Sequence, residues 1–245
     1  RLRSPGTKDS YASGRLSGRR ATRCRSDEDK RMGIENVIGS GLIGGKANGF
    51  LKARQYLERQ DVQDSAPAVT RFIRFPETIY ITTEIFNTFI QENSLDSQIK
   101  KYRWDEELAY ELLHKHFLMG RFPEAVLSQF RDILKKMPYP LAIRSSSLLE
   151  DHPGTSFAGK YATFFISNRG SSEEQLEQFC HAVKKVFAST YNPNAMNYRK
   201  KHKLLKEKEQ MAILVQEAIG REYKGYLLPL MAGVGFSRNG YRWNP

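Results

Sequence analysis

Cysteine and histidine are scarce in this chain, and each scarcity excludes something. Two cysteines, Cys24 and Cys180, in 245 residues cannot build a disulfide framework or a thiolate zinc site. A reducing, cytosolic-type compartment is therefore expected. The five histidines, His114, His116, His152, His181 and His202, are scattered without metal-ligand spacing, and His114 and His116 fall on different faces of a helix. No apolar run approaches the ~20 residues that cross a bilayer. A basic start followed by an apolar leader is also missing. These absences argue against a membrane-spanning, secreted or zinc-stabilised protein. The chain shows no repeat at a fixed period and lacks the Gly-x-x-x-x-Gly-Lys-Ser/Thr spacing of a phosphate-binding P-loop.

Acidic residues are in deficit. Twenty-seven Asp and Glu stand against 39 Lys and Arg, for a net charge of +12. Residues 1–31 hold ten of the basic and four of the acidic residues, so half of the surplus lies there. This stretch is rich in Ser, Gly and Arg and nearly free of large apolar side chains, too few to offset the entropy of ordering. Residues 1–32 are expected to be a disordered basic tail, and residues 33–245 the folded part. The tail could hold nucleic acid loosely or serve as a solvated linker. The basic cluster Arg199, Lys200, Lys201, Lys203, Lys206 and Lys208 reads as a solvated helix face. With no initial methionine and an abrupt end at Trp243-Asn244-Pro245, the chain is expected to be a piece of something longer.

Apolar spacing places a helix from Lys46 to about Gln60, carrying Phe50, Ala53 and Leu57. Residues 61–70 read as a polar loop, followed by short strands at Arg71–Phe75 and Thr78–Ile81. Thr82 or Thr83 is expected to cap the next helix, which carries Ile85, Phe86, Phe89 and Ile90. Further helices are expected from Trp104 to Phe117 and from Pro123 through Leu134. Ser171 and Glu174 have the spacing of a capping box, ahead of an apolar face of Leu176, Phe179, Cys180, Val183 and Phe187. Met211–Gln216 is a compact β run, and Gly225–Ser237 a bent one. Helices bracket the strands without alternating strictly with them, so a mixed α+β architecture is expected over a doubly wound sheet.

Two segments could carry chemistry. Gly44-Gly45-Lys46 opens a helix, where backbone N–H groups and the helix dipole favour an anion and the lysine adds a mobile charge. A structural glycine turn would look the same. The second is PLAIRSSSLLEDHPGTSFAGKYATFFI, residues 140–166, where Arg144 leaves a buried strand for a hydroxyl- and glycine-rich turn suited to phosphate oxygens. Arg144 could instead pair with Glu150 or Asp151 and hold the turn.

The stretch IRSSSLLEDHPGTSFAGKYATFF resembles the signature of the ATP-binding domain shared by phosphoenolpyruvate synthases and pyruvate phosphate dikinases. Four more segments are similar in the same order: IGGKANGFLKA (43–53), IYITTEIFNTFI (79–90), VFASTYNPNAMNYRKKH (186–202), and ILVQEAI with AGVGFSRN between 213 and 239. The resemblance thus runs from about residue 35 to the C-terminus. It implies an α+β, ATP-grasp-like nucleotide-binding domain, incomplete at its C-terminal end. It also implies that Lys46 contacts nucleotide phosphates and that Arg144 reaches the phosphoryl group in transfer. Gly159 to Thr163 would cover the phosphates, and Gln216, Glu217 and Ala218 would run along the adenine. Arg238 could reach phosphate or lie at a strand end. Relatives usually carry Asp or Glu just before that threonine, where this chain has Ala162.

The cofactors implied are ATP and Mg²⁺, with the metal's carboxylate ligands expected downstream of this chain. The implied partners are a domain with a phospho-accepting histidine and a pyruvate-binding domain, with phosphoryl passing from ATP to the histidine and then to pyruvate or another acceptor. This piece alone is expected to turn over little or nothing. A rifampicin- or glucan-directed phosphotransferase would share the same ATP half. The alternative class is a non-catalytic basic interaction or nucleic-acid-binding protein on a degenerate dikinase scaffold.

Overall fold

The computed structural model describes residues 36–102, 108–150 and 159–234. The basic tail and Arg238 lie outside the described residues. A five-stranded mixed sheet organises the rest. It is built from β1 (Val37–Ile38), β2 (Thr78–Ile81), β3 (Leu141–Ser147), β4 (Thr163–Ile166) and β5 (Met211–Glu217), in the order β1-β2-β5-β3-β4. β1 runs parallel to β2, and the other pairs are antiparallel. The architecture is mixed α and β, as the patterning of the sequence implies.

Alternation along β3 and β5 sends Leu141, Ile143, Ile213 and Val215 into a large core on one face. That core is closed by α4 (Thr83–Glu92), α6 (Ala109–Met119), α7 (Glu124–Lys136) and α8 (Ser172–Ser189). Its centre is aromatic: Phe86 meets Phe187 edge-on at 5.0 Å, and Phe130 meets Phe179 edge-on at 5.0 Å, the arrangement that ring quadrupoles favour. The opposite face carries Tyr80 and Leu214 and is covered by α1 (Gly44–Leu57) through Ile43, Ala47 and Leu51. The buried side chains expected on α8 are all buried, and the Ser171–Glu174 capping box is formed.

Several local expectations are corrected. Residues 61–70 are not loop but the short helices α2 (Gln60–Ser65) and α3 (Pro67–Thr70). Local pairing favours them: the Arg59 guanidinium grips Asp61 with two hydrogen bonds, and Gln60 donates to Asp64 one turn on. Arg71–Phe75 forms no strand, because β2 is already flanked by β1 and β5 and offers no edge. Thr82 occupies the N-cap position of α4 without capping it. Its hydroxyl and that of Thr83 accept instead from the amides of Gly41 and Leu42. An unexpected helix, α5 (Leu95–Lys101), precedes α6; Trp104 lies outside the described residues.

Within Gly225–Ser237, only Tyr226–Leu228 (β7) is a described strand, paired with β6 (Arg221–Tyr223) in a separate hairpin. Arg199, on α9 (Pro193–Lys201), is not a solvated cation. It is buried, and its guanidinium donates to the Glu207 carbonyl at 2.8 Å, tying α9 to the approach to β5. No helix among the described residues is long and apolar enough to cross a membrane.

Candidate nucleotide site

The start of α1 is stitched to the end of β3. Gly44 has φ +78°, and a Cβ there would lie 1.7 Å from the Ser146 carbonyl oxygen. Only glycine permits both the left-handed backbone and that approach. Ser146 locks the contact from the other side. Its hydroxyl donates to the Ile43 carbonyl at 2.7 Å and accepts from the Ala47 amide at 3.0 Å. The Ser146 side chain thereby bridges the N-cap carbonyl and the first turn of α1.

This stitching carries Lys46 across 99 residues of sequence to Ser145. The ammonium donates to Ser145 Oγ at 3.1 Å and lies 3.2 Å from Glu150 Oε1. Glu150 is buried, while the lysine side chain keeps 32% of its exposure. The Glu150 carboxylate also accepts from the Ser145 hydroxyl at 3.3 Å and from the Ser147 amide at 2.9 Å. Burial holds its pKa above the ordinary value, against the opposing pull of Lys46 and the Ser147 amide.

Arg144, the neighbour of Ser145, leans the other way along the sheet. Its Nη1 donates to Gln216 Oε1 at 2.8 Å, and Gln216 Nε2 donates to Thr78 Oγ1 at 3.2 Å. A buried amide on β5 therefore orients the guanidinium. Pairing of Arg144 with Glu150 is not what the chain adopts, because that carboxylate is taken by Lys46; Asp151 lies outside the described residues. Thr163 is the Cα partner of Arg144 across the β3–β4 ladder, which puts both side chains on the face that α1 covers. Gly159 has φ +70° and nothing within 4 Å of a built Cβ.

The departure at Ala162 involves a residue held by its backbone. Its amide donates to Ser189 Oγ at 3.1 Å, and its carbonyl accepts from the Ser145 amide at 3.3 Å. Beside it, the Tyr161 hydroxyl donates to the buried Glu209 carboxylate at 2.6 Å.

Glu217 and Ala218 end β5. Their amides are both engaged, donating to the carbonyls of Glu77 and Pro140, and the Glu217 carboxylate holds Arg74 at 3.2 Å. Next to Ala218 opens a mostly apolar cavity of about 620 Å³, lined by Ile219, Phe165, Pro140, Leu227 and Pro229. Phe165 faces Ala142 across the β3–β4 ladder and so shares the sheet face of Arg144.

Glu150, Ser145 and Thr78 were not identified by the sequence reading as site residues. The signal available was the acidic pair following a serine run, which marks a polar turn but does not say which cation the turn receives. Among the described residues no group of three or more His, Cys, Asp or Glu could hold a metal ion.

Comparison with known proteins gives a consistent result. The family described as "Pyruvate phosphate dikinase, AMP/ATP-binding domain" matches residues 40–244. The chain is 29% identical over 183 residues to a phosphoenolpyruvate synthase of Deinococcus radiodurans, covering 66% of this chain and 20% of that protein. It is 27% identical over 205 residues to the phosphoenolpyruvate synthase of Aeropyrum pernix, covering 77% of this chain and 22% of the relative. An uncharacterized phosphotransferase of Bacillus subtilis is 28% identical over 167 residues, covering 67% and 17%. The chain spans about a fifth of the length of these relatives.

Proposed function

Because the chain belongs to the pyruvate phosphate dikinase AMP/ATP-binding domain family, we propose that it binds ATP across the α1-covered face of its sheet, as the nucleotide-binding part of a dikinase-type phosphotransferase. The observation that carries this reading is the docking of α1 on the end of β3, which places a cation from 99 residues away beside this strand. Lys46 docks on Ser145, and Arg144 is the residue before it. Both stay partly exposed, so neither is used up as buried structure.

The proposed pose follows from chemistry. Triphosphate oxygens take the Lys46 ammonium and the backbone amides at the start of α1, where charge and helix dipole act together. The Arg144 guanidinium, held flat by Gln216, meets the terminal phosphoryl group. Fixed donors aimed at charge that develops on phosphoryl oxygens lower a transition state by about 3 kcal/mol each. Gly159 to Thr163 close over the phosphates. The base lies along Gln216, Glu217 and Ala218, and the apolar cavity beside Ala218 suits a planar ring. An ATP-grasp-like arrangement, with nucleotide between two α+β lobes, is part of the same proposal.

Mg²⁺ would accompany the phosphates and neutralise charge that two cations leave over. Its carboxylate ligands would lie downstream of this chain. The phosphoryl group would pass to a histidine on a separate domain, then to pyruvate or a different acceptor.

Calorimetric titration with magnesium-ATP tests the site. Lys46→Ala and Arg144→Ala are each expected to weaken binding about tenfold or more, by loss of one charge-assisted contact. Wild-type affinity in both variants would overturn the assignment. Binding that instead collapses with salt and with deletion of residues 1–31 would favour a polyanion on the basic tail.

A further inference from the structure

We propose that Glu150 is a positioning residue for Lys46, fixing the ammonium so that one of its N–H groups remains aimed at nucleotide phosphate. The inference rests on the ATP reading above and assigns a role to a side chain outside the phosphate-facing set.

An ammonium on a four-carbon stem has three donors and much rotamer freedom to lose when it is ordered. At Lys46 two donors have acceptors, Ser145 Oγ at 3.1 Å and Glu150 Oε1 at 3.2 Å. The third has no protein acceptor among the described contacts, and the side chain is about one-third exposed. Glu150 is itself held rigid. The Ser147 amide and the Ser145 hydroxyl donate to its two oxygens, and its own amide donates to Ser147 Oγ at 3.1 Å. Among the described residues, the charged and polar groups bonded to it are Lys46 from α1 and the Ser145 and Ser147 groups from β3.

A surface ion pair would hold such a lysine only loosely. A buried carboxylate differs, because leaving it without its cation costs far more than the pair gains in water. Burial of Glu150 thus keeps Lys46 in place before any nucleotide arrives. The ordering cost is met during folding and not at binding, which is how preorganisation raises affinity.

The test uses the full chain and two readouts. The first is nucleotide-free acylation of lysines by an N-hydroxysuccinimide ester, followed by mass spectrometry. Glu150→Ala and Glu150→Gln are expected to raise the labelling rate of Lys46 at least threefold, with exposed Lys52 on the same helix as the internal control. The second is magnesium-ATP titration. Glu150→Ala should weaken binding about tenfold, and Glu150→Gln, whose neutral amide oxygen accepts from Lys46 without holding it by charge, should fall between Glu150→Ala and the wild type. Wild-type binding in Glu150→Ala overturns the proposal while leaving the ATP reading intact, and so does unchanged Lys46 labelling in both variants. A wild-type chain that binds no ATP overturns the ATP reading and the proposal with it. Should Glu150→Ala fail to fold, Glu150→Gln decides: unchanged Lys46 labelling in a folded variant rejects the role.

Discussion

Two glycines near the site share a left-handed backbone yet should respond differently to an added methyl group. Gly159, at φ +70°, faces open space, so Gly159→Ala bears only the conformational penalty of about 1 kcal/mol. Gly44, at φ +78°, would bring a Cβ to 1.7 Å from the Ser146 carbonyl oxygen and 2.7 Å from its hydroxyl. Backbone on both sides must move to relieve that overlap. Gly44→Ala is expected to cost at least about 3 kcal/mol, the range of severe overpacking and strain, and to weaken ATP binding by displacing Lys46. Urea melts of the two variants check the contrast; equal losses would refute it. At this scale the family resemblance, more than the residue types, singles out Lys46 and Arg144, because a structural glycine turn and an arginine that holds a turn carry the same local pattern. Their partners could not be identified that way. Sequence proximity offers Glu150 or Asp151 to Arg144 as an alternative, whereas the α1–β3 contact brings in a lysine from 99 residues away, and only the fold supplies that cation.

α8 begins at a reciprocal cap. The Ser171 hydroxyl accepts from the Glu174 amide at 3.3 Å, and the Glu174 carboxylate accepts from the Ser171 amide at 2.7 Å. Ser171→Ala removes one half of this exchange and should lower stability by about 1 kcal/mol, read as a shift in the urea midpoint with unchanged slope. No shift would mean that the helix start is held by Gln175 alone, whose side chain donates to the Asn168 and Gly170 carbonyls. The same helix shows what local pattern can convey. Leu176, Phe179, Cys180, Val183 and Phe187 recur at helical spacing and all are buried. Strand pairing carries no such local signature. Arg71–Phe75 has strand composition but joins no strand, while Val37–Ile38, only two residues long, takes the place beside β2. The thresholds at Thr82 and Thr83 mislead for a related reason: tertiary contact with the Gly41 and Leu42 amides displaces the local cap.

Across the whole molecule, carboxylates fall into two groups with opposite pH behaviour. Hydrogen bonds from the Ser40 hydroxyl and amide hold Glu84 below the ordinary 4.5. Its contribution is present above 4.5 and lost as pH falls through its folded value. Burial instead holds Glu150 and Glu209 above 4.5, despite Lys46 beside the first and Tyr161 beside the second. Between 4.5 and their folded values the native chain binds more protons than the unfolded one, so stability falls as pH rises through that window. The net charge of +12 acts in the other direction, since raising pH relieves self-repulsion. A comparison of variants separates the two effects. Glu209→Gln keeps an oxygen to accept from Tyr161 but removes the titration, while hardly altering the charge of the whole chain. Thermal melts from pH 4.5 to 7.5 should therefore show the variant gaining on the wild type as pH rises, with the difference levelling off once Glu209 is fully ionised in the native state. A difference that stays constant across that range would mean that Glu209 ionises in the folded chain as it does in the unfolded one, and that burial beside Tyr161 carries no electrostatic cost.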